Sequence, residues 1–568
     1  MRRWSETAER VAATSRTSDK VRILAEYLRT LTPAELPVAV TFFTGRPFAE
    51  RDPRVLGLGW AAISEAVRAE ADAPPSALGQ AYDRSSDLGQ AVYDVLTDAA
   101  RRPSGELPAL TDVRDAFAVI AAASGPAARM AELRTLLWRC DPLVAKYVVK
   151  VMSGDMRIGL REGHLEAAIA AAFVRPLAAV QWAGMLTGDL GRTAELARDD
   201  RLDEAELTVF RPLKSMLAYP AADVAEVIAR LGTPVWVEDK YDGIRAQLHR
   251  AAGETRLYSR DLHDVTGQFP EVIEAAGDLP WAGIMDGELL AWRDGAALPF
   301  QQLQGRLGRK RPSPAVLAAT PVIFVAFDLL ASRPVPDPAG DQAAAPAALL
   351  RAPLRERRAR LETLGLEARP GFGLARLATA ASDVELEAHF AAARARGNEG
   401  LMVKDPASGY TPGRRGFGWL KLKRPLATLD CVVVGVEVGH GKRHGVLSDY
   451  TFAVLDDRPA ATHPLATIGK AYSGLTDREL ADMTRWFTAH TLSVHGRYRV
   501  VEPTVVVEVA FDVIQRSSRH ASGYALRFPR IVRLRDDKVP SEIDRLSAVA
   551  ALAARLAQPG QVAVETSV

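Results

Sequence analysis

The sequence predicts a multidomain α+β protein with an all-α N-terminal domain, a mixed α/β central domain and a C-terminal β-barrel. Apolar residues recur at helical spacing as far as about residue 205. Short β-like runs begin after Arg211–Lys214, and further runs of this kind lie beyond Pro425. We expect domains over 1–208, 209–425 and 426–545, followed by a C-terminal tail over 546–568.

The helical prediction for the first domain depends on periodicity and on two glycine-rich breaks. One amphipathic helix is indicated by Val21, Leu24, Ala25, Leu28 and Leu31. The alanine-rich run from Met130 to Val174 predicts a helix, a loop over Ser153–Gly159 and a second helix. Gly188–Arg192 predicts another loop between helices, because glycine and aspartate favour turns.

The strand predictions come from short apolar and β-branched runs. Ser332–Pro353 is rich in proline and alanine and predicts a loop instead. The predicted strands include Trp236–Glu238, Ala246–His249, Val322–Phe327, Cys431–Val436 and Thr504–Val509.

Composition excludes several classes of protein. Of the 568 residues, 48% are hydrophobic and 25% charged, which is typical of a globular protein and not of a disordered chain. No apolar run reaches the length of about 18 residues that a membrane span requires. Cys140 and Cys431 are the only cysteines, so a disulfide scaffold and a four-cysteine zinc site are excluded.

The first twenty residues lack the apolar core of a secretory signal, and we expect a cytoplasmic protein.

The charge balance leaves nucleic-acid binding open. There are 72 Lys and Arg residues and 70 Asp and Glu residues, a formal net charge of +2. Binding to a polyanion depends on where cations cluster and not on the total.

Common phosphate and metal motifs are missing. Gly441-Lys442 is not part of a P-loop, because Val436 stands where the first glycine belongs and Arg443 replaces Ser or Thr. The sequence contains no HExxH motif. A P-loop NTPase and a zinc hydrolase are therefore disfavoured.

The most informative segment is Glu238–Arg245. It could be a charged strand end followed by an Asp-Gly turn. It could also present Lys240 as a nucleophile, since a lysine whose amine is neutral can attack phosphorus. In that interpretation Gly243 allows a nucleotide to approach and Arg245 contacts its ribose or phosphate.

Lys240–Arg245 resembles the adenylation motif of the ATP-dependent DNA ligases, a nucleotidyltransferase family. Taken singly, the later motifs have ordinary explanations: a turn at Asp286–Glu288, a core position for Phe327, and a solvated strand face for Lys421 and Lys423. Their shared order favours the family. The motifs are Tyr258–Arg260, Met285–Glu288, Phe324–Asp328, Glu399–Lys404, Trp419–Lys423, Arg527–Arg530 and Arg535–Lys538.

The resemblance implies transfer of AMP from ATP to Lys240, then to the 5′-phosphate of a nick that the 3′-hydroxyl seals. It implies Mg²⁺, with Mn²⁺ as the alternative, at Glu288 and Glu399. Arg535 and Lys538 would orient the pyrophosphate. The implied nucleotide-binding residues are Glu238, Arg245, Arg260, Glu288, Phe327, Arg415, Lys421 and Lys423.

The same resemblance implies domains that bind DNA. The last domain would be an OB-fold, with Lys442 and Arg443 in a basic turn on the phosphate backbone. The helical domain would grip duplex DNA through Arg157 and Arg161, without reading sequence. Nicked double-stranded DNA is the expected partner of a monomer, with a sliding clamp or repair proteins as further candidates in repair, replication or recombination.

Three alternatives remain at this point. An RNA ligase and a guanylyltransferase share the nucleotidyltransferase core. A degenerate ligase could bind DNA without catalysis. The NAD-dependent ligases are disfavoured, because two cysteines cannot supply their four-cysteine zinc finger.

Overall fold

The computed structural model describes residues 1–50, 52–335, 346–424, 427–439, 443, 445–459 and 461–556. Lys442, a predicted DNA contact, lies outside the described residues. The chain divides into two compact units. The first contains Met1–Tyr219, Ile228–Ala381 and Met402–Leu420, and the second contains Pro220–Val227, Ser382–Leu401 and the chain from Lys421 onward. Within the described residues no helix has the length and apolar character needed to cross a membrane.

The N-terminal domain consists of twelve α-helices in its described part. They are α1 (Arg2–Ala12), α2 (Thr17–Leu28), α3 (Glu35–Phe43), α4 (Trp60–Ala71), α5 (Ala77–Ser85), α6 (Leu88–Asp98), α7 (Leu110–Ala122), α8 (Gly125–Trp138), α9 (Pro142–Ser153), α10 (Glu162–Phe173), α11 (Leu177–Thr187) and α12 (Leu190–Arg198).

The helix boundaries follow the local sequence. The helix predicted from Met130 is in fact two helices, because Asp141 caps a new helix by accepting a hydrogen bond from the Val144 amide and Pro142 occupies its first position. Gly154 ends α9 with a φ of 72°, which glycine adopts without strain. Asp189 caps α12 in the same way as Asp141 caps α9, so the predicted Gly188–Arg192 break is confirmed.

Aromatic rings fill the core between these helices. Trp4 is fully buried, its ring stacks on Phe43 at 4.4 Å, and its indole nitrogen donates to the Ala39 carbonyl at 3.0 Å. A buried indole with a satisfied donor contributes apolar burial without leaving a polar group unpaired.

The central region alternates strands and short helices. Its elements are β1 (Leu217–Ala221), α13 (Val224–Leu231), β2 (Val235–Lys240), β3 (Ile244–Ala251), β4 (Glu254–Ser259), α14 (Pro270–Ala276), β5 (Trp281–Arg293), β6 (Ala296–Ala297), α15 (Phe300–Gln304), α16 (Pro314–Ala319), β7 (Val322–Pro334), β8 (Ala347–Ala348), α17 (Leu354–Glu362), β9 (Phe372–Leu374), β10 (Leu377–Ala380), α18 (Asp383–Ala395), β11 (Gly400–Lys404) and β12 (Arg415–Lys423).

Two sheets organise this region. One has the strand order β1-β12-β11-β2-β10, and the other has the order β4-β3-β5-β7-β8, with β6 beside β5 and β9 beside β7. The loop predicted over Ser332–Pro353 is only partly confirmed, since β7 extends to Pro334 and β8 lies within the range. Residues 336–345 lie outside the described residues.

The segment that leaves the helical domain is fastened to β3. Gln247 exchanges two hydrogen bonds with the Leu213 backbone, at 3.0 and 2.6 Å. The buried His249 accepts from the Phe210 amide through Nδ1 at 3.0 Å. These contacts, together with a shared apolar cluster that includes Leu186, Leu213 and Trp419, fix the helical domain against the sheets within the first unit.

The C-terminal domain is rich in strands. Its elements are β13 (Ala427–Val438), β14 (Leu447–Leu455), β15 (Leu465–Ala471), α19 (Asp477–Ala489), β16 (Thr491–His495), β17 (Tyr498–Val501), β18 (Val506–Phe511), β19 (Val513–Arg516), β20 (Tyr524–Arg527), β21 (Arg530–Leu534) and α20 (Leu546–Leu556). The long strand β13 pairs with β14, β17 and β18, and β18 pairs with β21. The predicted fold class, with helical, central and β-rich domains in that order, is confirmed.

The expected C-terminal tail is corrected as far as Leu556. Residues Leu546–Leu556 form α20, and Leu546 and Val549 are buried in the core of the C-terminal domain. Their apolar side chains gain burial there, which a free tail would forgo.

Candidate active site

Lys240 is the last residue of β2 and is half-buried. The turn that follows approaches β5 closely. A Cβ at Gly243 would lie 2.5 Å from the Leu289 carbonyl oxygen and 2.7 Å from Cγ of Glu288. Gly243 is therefore required for backbone packing beside Glu288, a reason that sequence reasoning did not supply.

Glu238, two residues before Lys240, belongs to a buried ion pair. Its carboxylate lies 2.5 Å from Nζ of Lys404 and 3.9 Å from Nη1 of Arg358. Glu238 is 4% exposed and Lys404 is 1% exposed. An ion-paired carboxylate only accepts hydrogen bonds, so this site favours a ligand that donates. Sequence reasoning missed Lys404 and Arg358 as functional residues, although Lys404 closes the Glu399–Lys404 motif.

Phe327 lies on β7 and is half-buried. Its ring meets Trp419 edge-to-face at 6.1 Å, and Nζ of Lys404 lies 4.9 Å from its centroid. The structure thus brings Phe327, Lys404 and Glu238 together, as a nucleobase site requires: an apolar ring beside a polar acceptor.

Arg245, predicted to contact the nucleotide, lies in an ion pair with Asp286. Its Nη2 and Nε donate to Asp286 at 2.7 and 3.1 Å, and its Nη1 donates to the Met216 carbonyl at 2.6 Å. Burial lowers the pKa of Arg245, but Asp286, Tyr410 and Glu288 together raise it overall. The hydroxyl of Tyr410 also donates to Asp286, at 2.6 Å. Asp286 and the Met216 carbonyl thus bind the guanidinium of Arg245, and its contact with a nucleotide stays a prediction.

The remaining predicted residues of the first unit occupy β-strands and their ends. Glu288 is half-buried on β5, opposite Arg245 in the strand pairing. Arg260 is exposed in the turn after β4, and Arg415 is exposed at the start of β12.

Glu399 and Lys423 are brought together in the second unit. Nζ of Lys423 lies 3.0 Å from the Glu399 carboxylate and 2.9 Å from that of Asp512. Burial would lower the pKa of Lys423, but the two carboxylates raise it overall. Lys423 is therefore a charged lysine, suited to bind phosphate and unsuited to act as a nucleophile. Lys421 is half-buried on the same strand, β12.

The carboxylates fit a metal only in part. Among the described residues no group of three His, Cys, Asp or Glu side chains could hold an ion by itself. Mg²⁺ commonly binds one or two carboxylates together with substrate phosphates. Glu288 in the first unit and Glu399 in the second each offer one carboxylate of this kind.

Two of the three described cations predicted to bind DNA have partners within the protein. Arg157 donates through Nε to both oxygens of Asp155 and through Nη1 to the Ser86 carbonyl, which fits a role in shaping its loop. Nη1 of Arg443 donates to the Tyr472 carbonyl at 3.0 Å. Arg161 is exposed immediately before α10.

Arg535 and Lys538 meet at one carboxylate. Nη1 of Arg535 lies 2.7 and 3.0 Å from the two oxygens of Asp430, and Nζ of Lys538 lies 2.5 Å from Oδ2. The two residues predicted to act together on pyrophosphate are therefore neighbours.

A half-buried lysine at a strand end, an ion-paired carboxylate beside an apolar ring, and a lysine held by two carboxylates are compatible with a nucleotide-binding transferase. Three family models match the chain in order: DNA ligase N terminus over 1–170, ATP dependent DNA ligase domain over 215–423, and ATP dependent DNA ligase C terminal region over 443–538. The chain belongs to the ATP-dependent DNA ligases, a family whose known function is to seal nicks.

Individual relatives agree with this assignment. The "Probable DNA ligase" of Koribacter versatilis is 46% identical, over 96% of this chain and 95% of the relative. The "Probable DNA ligase" of Opitutus terrae is 45% identical over 99% of this chain, which spans 63% of that relative's length. The solved structure Pmar-Lig_PreS3 has a TM-score of 0.61 and 16% identity, covering 94% of this chain and 99% of that chain, and supports the fold alone.

Proposed function

We propose that this chain seals nicks in duplex DNA through a covalent Lys240–AMP intermediate. The observation that carries the proposal is the position of Lys240 at the end of β2, two residues after a carboxylate that Lys404 and Arg358 hold in place. A fixed acceptor and a strand-end amine can position a nucleotide for attack at its α-phosphorus.

The first step joins Lys240 to AMP. The neutral amine of Lys240 attacks the α-phosphorus of ATP, a P–N bond forms, and the bond to the pyrophosphate oxygen breaks. Such a transfer depends mainly on positioning and on neutralising the phosphate charge. Arg415, Lys421 and Lys423 are the proposed phosphate ligands. Glu288 and Glu399 would hold Mg²⁺, or Mn²⁺ in its place, which would neutralise phosphate charge.

Selection of adenine is assigned to Glu238 and Phe327. The amino group of adenine donates hydrogen bonds, and the ion-paired Glu238 accepts them. The ring of Phe327 supplies an apolar face for the base. Arg260 and Glu288 would contact the ribose or the phosphates.

The later steps act on the nick. AMP passes from Lys240 to the 5′-phosphate, and the 3′-hydroxyl then attacks that phosphate and releases AMP. Arg161, Lys442 and Arg443 are the proposed backbone contacts, since contacts with phosphates position a protein on DNA without reading sequence. Arg157 would act indirectly, by shaping the loop after α9.

We also propose the division into domains over 1–208, 209–425 and 426–545, to the last of which α20 is added. The enzyme would act as a monomer in the cytoplasm, where its DNA substrate lies. A sliding clamp and repair proteins are its candidate partners in repair, replication or recombination.

Sealing of a nicked duplex tests the proposal. We expect sealing with ATP and none with NAD or GTP as the only cofactor, and a nicked DNA to be preferred to a nicked RNA. Sealing that requires GTP, or that occurs only on RNA, would favour another nucleotidyltransferase of the superfamily.

Two substitutions of the nucleophile separate chemistry from folding. Lys240→Ala and Lys240→Arg should both abolish sealing with ATP, since a guanidinium is not a nucleophile at neutral pH. Both variants should still close a nick that already carries AMP on its 5′-phosphate. Sealing with ATP by Lys240→Ala would refute the proposed mechanism.

A further inference from the structure

Asp430 lies near the start of β13 and is held in place through its backbone. Its amide donates to the carboxylate of Asp544 at 2.8 Å, and its carbonyl accepts from the Asp544 amide at 2.9 Å. Asp430 also pairs with Glu508 across the sheet. The backbone of Asp430 is therefore fixed on both sides.

One carboxylate binds two cations at this position. Asp430 accepts from Nη1 of Arg535 and from Nζ of Lys538. The three side chains are 13%, 12% and 31% exposed. Solvent can reach the cluster, so another anion could exchange with the carboxylate.

Arg535 has a second acidic partner, Asp537. Its Nε and Nη2 donate to the two oxygens of Asp537, both at 2.8 Å. The hydrogen bonds with Arg535 lower the pKa of Asp537, and the same pair raises the pKa of Arg535. The two hydrogen bonds to Asp537 orient the guanidinium of Arg535. Its remaining nitrogen, Nη1, donates to Asp430.

The arrangement resembles the way that two cations bind a phosphate. Arginine and lysine bind phosphate oxygens with the same nitrogen donors that they offer to a carboxylate. Asp430 is the one carboxylate that Arg535 and Lys538 share, so its displacement frees a donor on each cation for the oxygens of a polyphosphate.

We propose that Asp430 is a positioning residue that takes the place of a phosphate anion on Arg535 and Lys538 while no nucleotide is bound to them. This inference rests on the proposed function, in which these two cations orient the pyrophosphate of ATP. The triphosphate displaces Asp430 during formation of Lys240–AMP, and Asp430 binds the cations again when pyrophosphate leaves. This exchange involves no covalent bond, because only ion pairs break and form.

Two consequences follow for the reaction. Competition from Asp430 weakens the binding of ATP in the first step and favours the departure of pyrophosphate. It also slows a second reaction with ATP after AMP has passed to the DNA, and so protects the adenylated nick until it is sealed.

The test is Asp430→Asn in the full chain, since asparagine has the same shape without the charge. The first readout is formation of Lys240–AMP against ATP concentration. We expect the KM for ATP to fall about fivefold, as for the loss of one partly exposed ion pair, with little change in kcat. Inhibition by pyrophosphate should strengthen by a similar factor.

A second readout follows the nick. At high ATP concentration, Asp430→Asn should accumulate more adenylated, unsealed DNA than the wild type does. A purely structural role for Asp430 would not produce this effect, because it would slow every step together.

Glu508→Gln is the matched control. Glu508 pairs with Arg533 at 2.7 Å on the neighbouring strands, and neither residue is assigned to the nucleotide. This variant should keep the wild-type KM for ATP. Asp430→Glu, which restores the charge, should return the KM towards the wild-type value, and Asp430→Ser provides a second neutral variant if Asp430→Asn does not fold.

The outcomes separate this inference from the proposed function. If the wild type forms no Lys240–AMP, the proposed function fails. If the wild type forms it and the KM of the folded neutral variants is unchanged or higher, Asp430 does not take the place of an anion and the inference fails.

Discussion

Asp286 and Asp430 each bind an arginine and one further donor, in different surroundings. In the first unit, Asp286 binds Arg245 and the hydroxyl of Tyr410, and its side chain is fully buried. In the second unit, Asp430 binds Arg535 and Lys538, and solvent reaches all three side chains. The chemistry of the two clusters is similar, and they differ in the burial of the carboxylate, which is 0% exposed in Asp286 and 13% exposed in Asp430.

This difference determines what each cluster can do. Removing one partner of a buried pair leaves an uncompensated charge, so the Asp286 cluster can serve structure but cannot release its arginine to a ligand. A pair whose carboxylate is in contact with solvent loses less when one partner leaves, so the Asp430 cluster exchanges partners more readily. Whether an arginine in a motif can bind a ligand therefore depends on how deeply its carboxylate partner is buried, and not on the charge of the arginine alone.

The largest predicted effect is on the buried cluster. Asp286→Asn should lower the free energy of unfolding by about 3–5 kcal/mol, because Arg245 loses its counterion, a fully buried carboxylate. Denaturant unfolding followed by tryptophan fluorescence would measure the loss. A loss below about 1 kcal/mol would show that Arg245 is free to relax towards solvent, and the contrast between the clusters would not hold.

A second prediction concerns acid and the buried part of the first unit. Burial lowers the pKa of His249 from its ordinary 6.5 to about 3. Below pH 6.5 His249 binds a proton in the unfolded chain but stays neutral in the folded chain. The free energy of unfolding therefore falls as the pH falls from 6.5 towards 3. The slope is about 1.4 kcal/mol per pH unit for one proton.

Unfolding midpoints between pH 7 and pH 4 would measure this dependence. His249→Gln retains a hydrogen-bond acceptor for the Phe210 amide and cannot be protonated in this range. This variant should reduce the slope of the free energy of unfolding against pH by up to about 1.4 kcal/mol per pH unit, the contribution of one proton. An unchanged slope would mean that His249 becomes protonated while the protein stays folded.

The smallest predicted effect is on the Asp430 cluster, whose carboxylate is in contact with solvent. Asp430→Asn should change the free energy of unfolding by about 1 kcal/mol or less, as is usual for pairs in contact with solvent. The same denaturant experiment compares it directly with Asp286→Asn. A loss of 3 kcal/mol or more would place both clusters in the same structural role.

Sequence patterns predicted the parts of this protein that depend on neighbouring residues. The strand that ends at Lys240 and the capped break before α12 are local features, and both are confirmed. The break between α8 and α9 is also local, and the Asp141-Pro142 signal could have revealed it.

The parts that sequence patterns did not predict depend on distant partners. Lys404 reaches Glu238 across 166 positions, and Asp286 reaches Arg245 across 41. Periodicity carries no information about such pairs. The motif at Arg245 suggested a ligand contact, and nothing in the sequence indicated the ion pair with Asp286. Burial of α20 depends likewise on the core of the C-terminal domain.

The central claim is that Lys240 becomes covalently joined to AMP. Intact-mass analysis of the wild type after incubation with ATP and Mg²⁺, followed by peptide mapping, tests it most directly. The account predicts one added AMP on the peptide that contains Lys240, which pyrophosphate removes and which Lys240→Arg never acquires. A wild-type protein that seals nicks without this adduct, or that carries AMP on another residue, would contradict it.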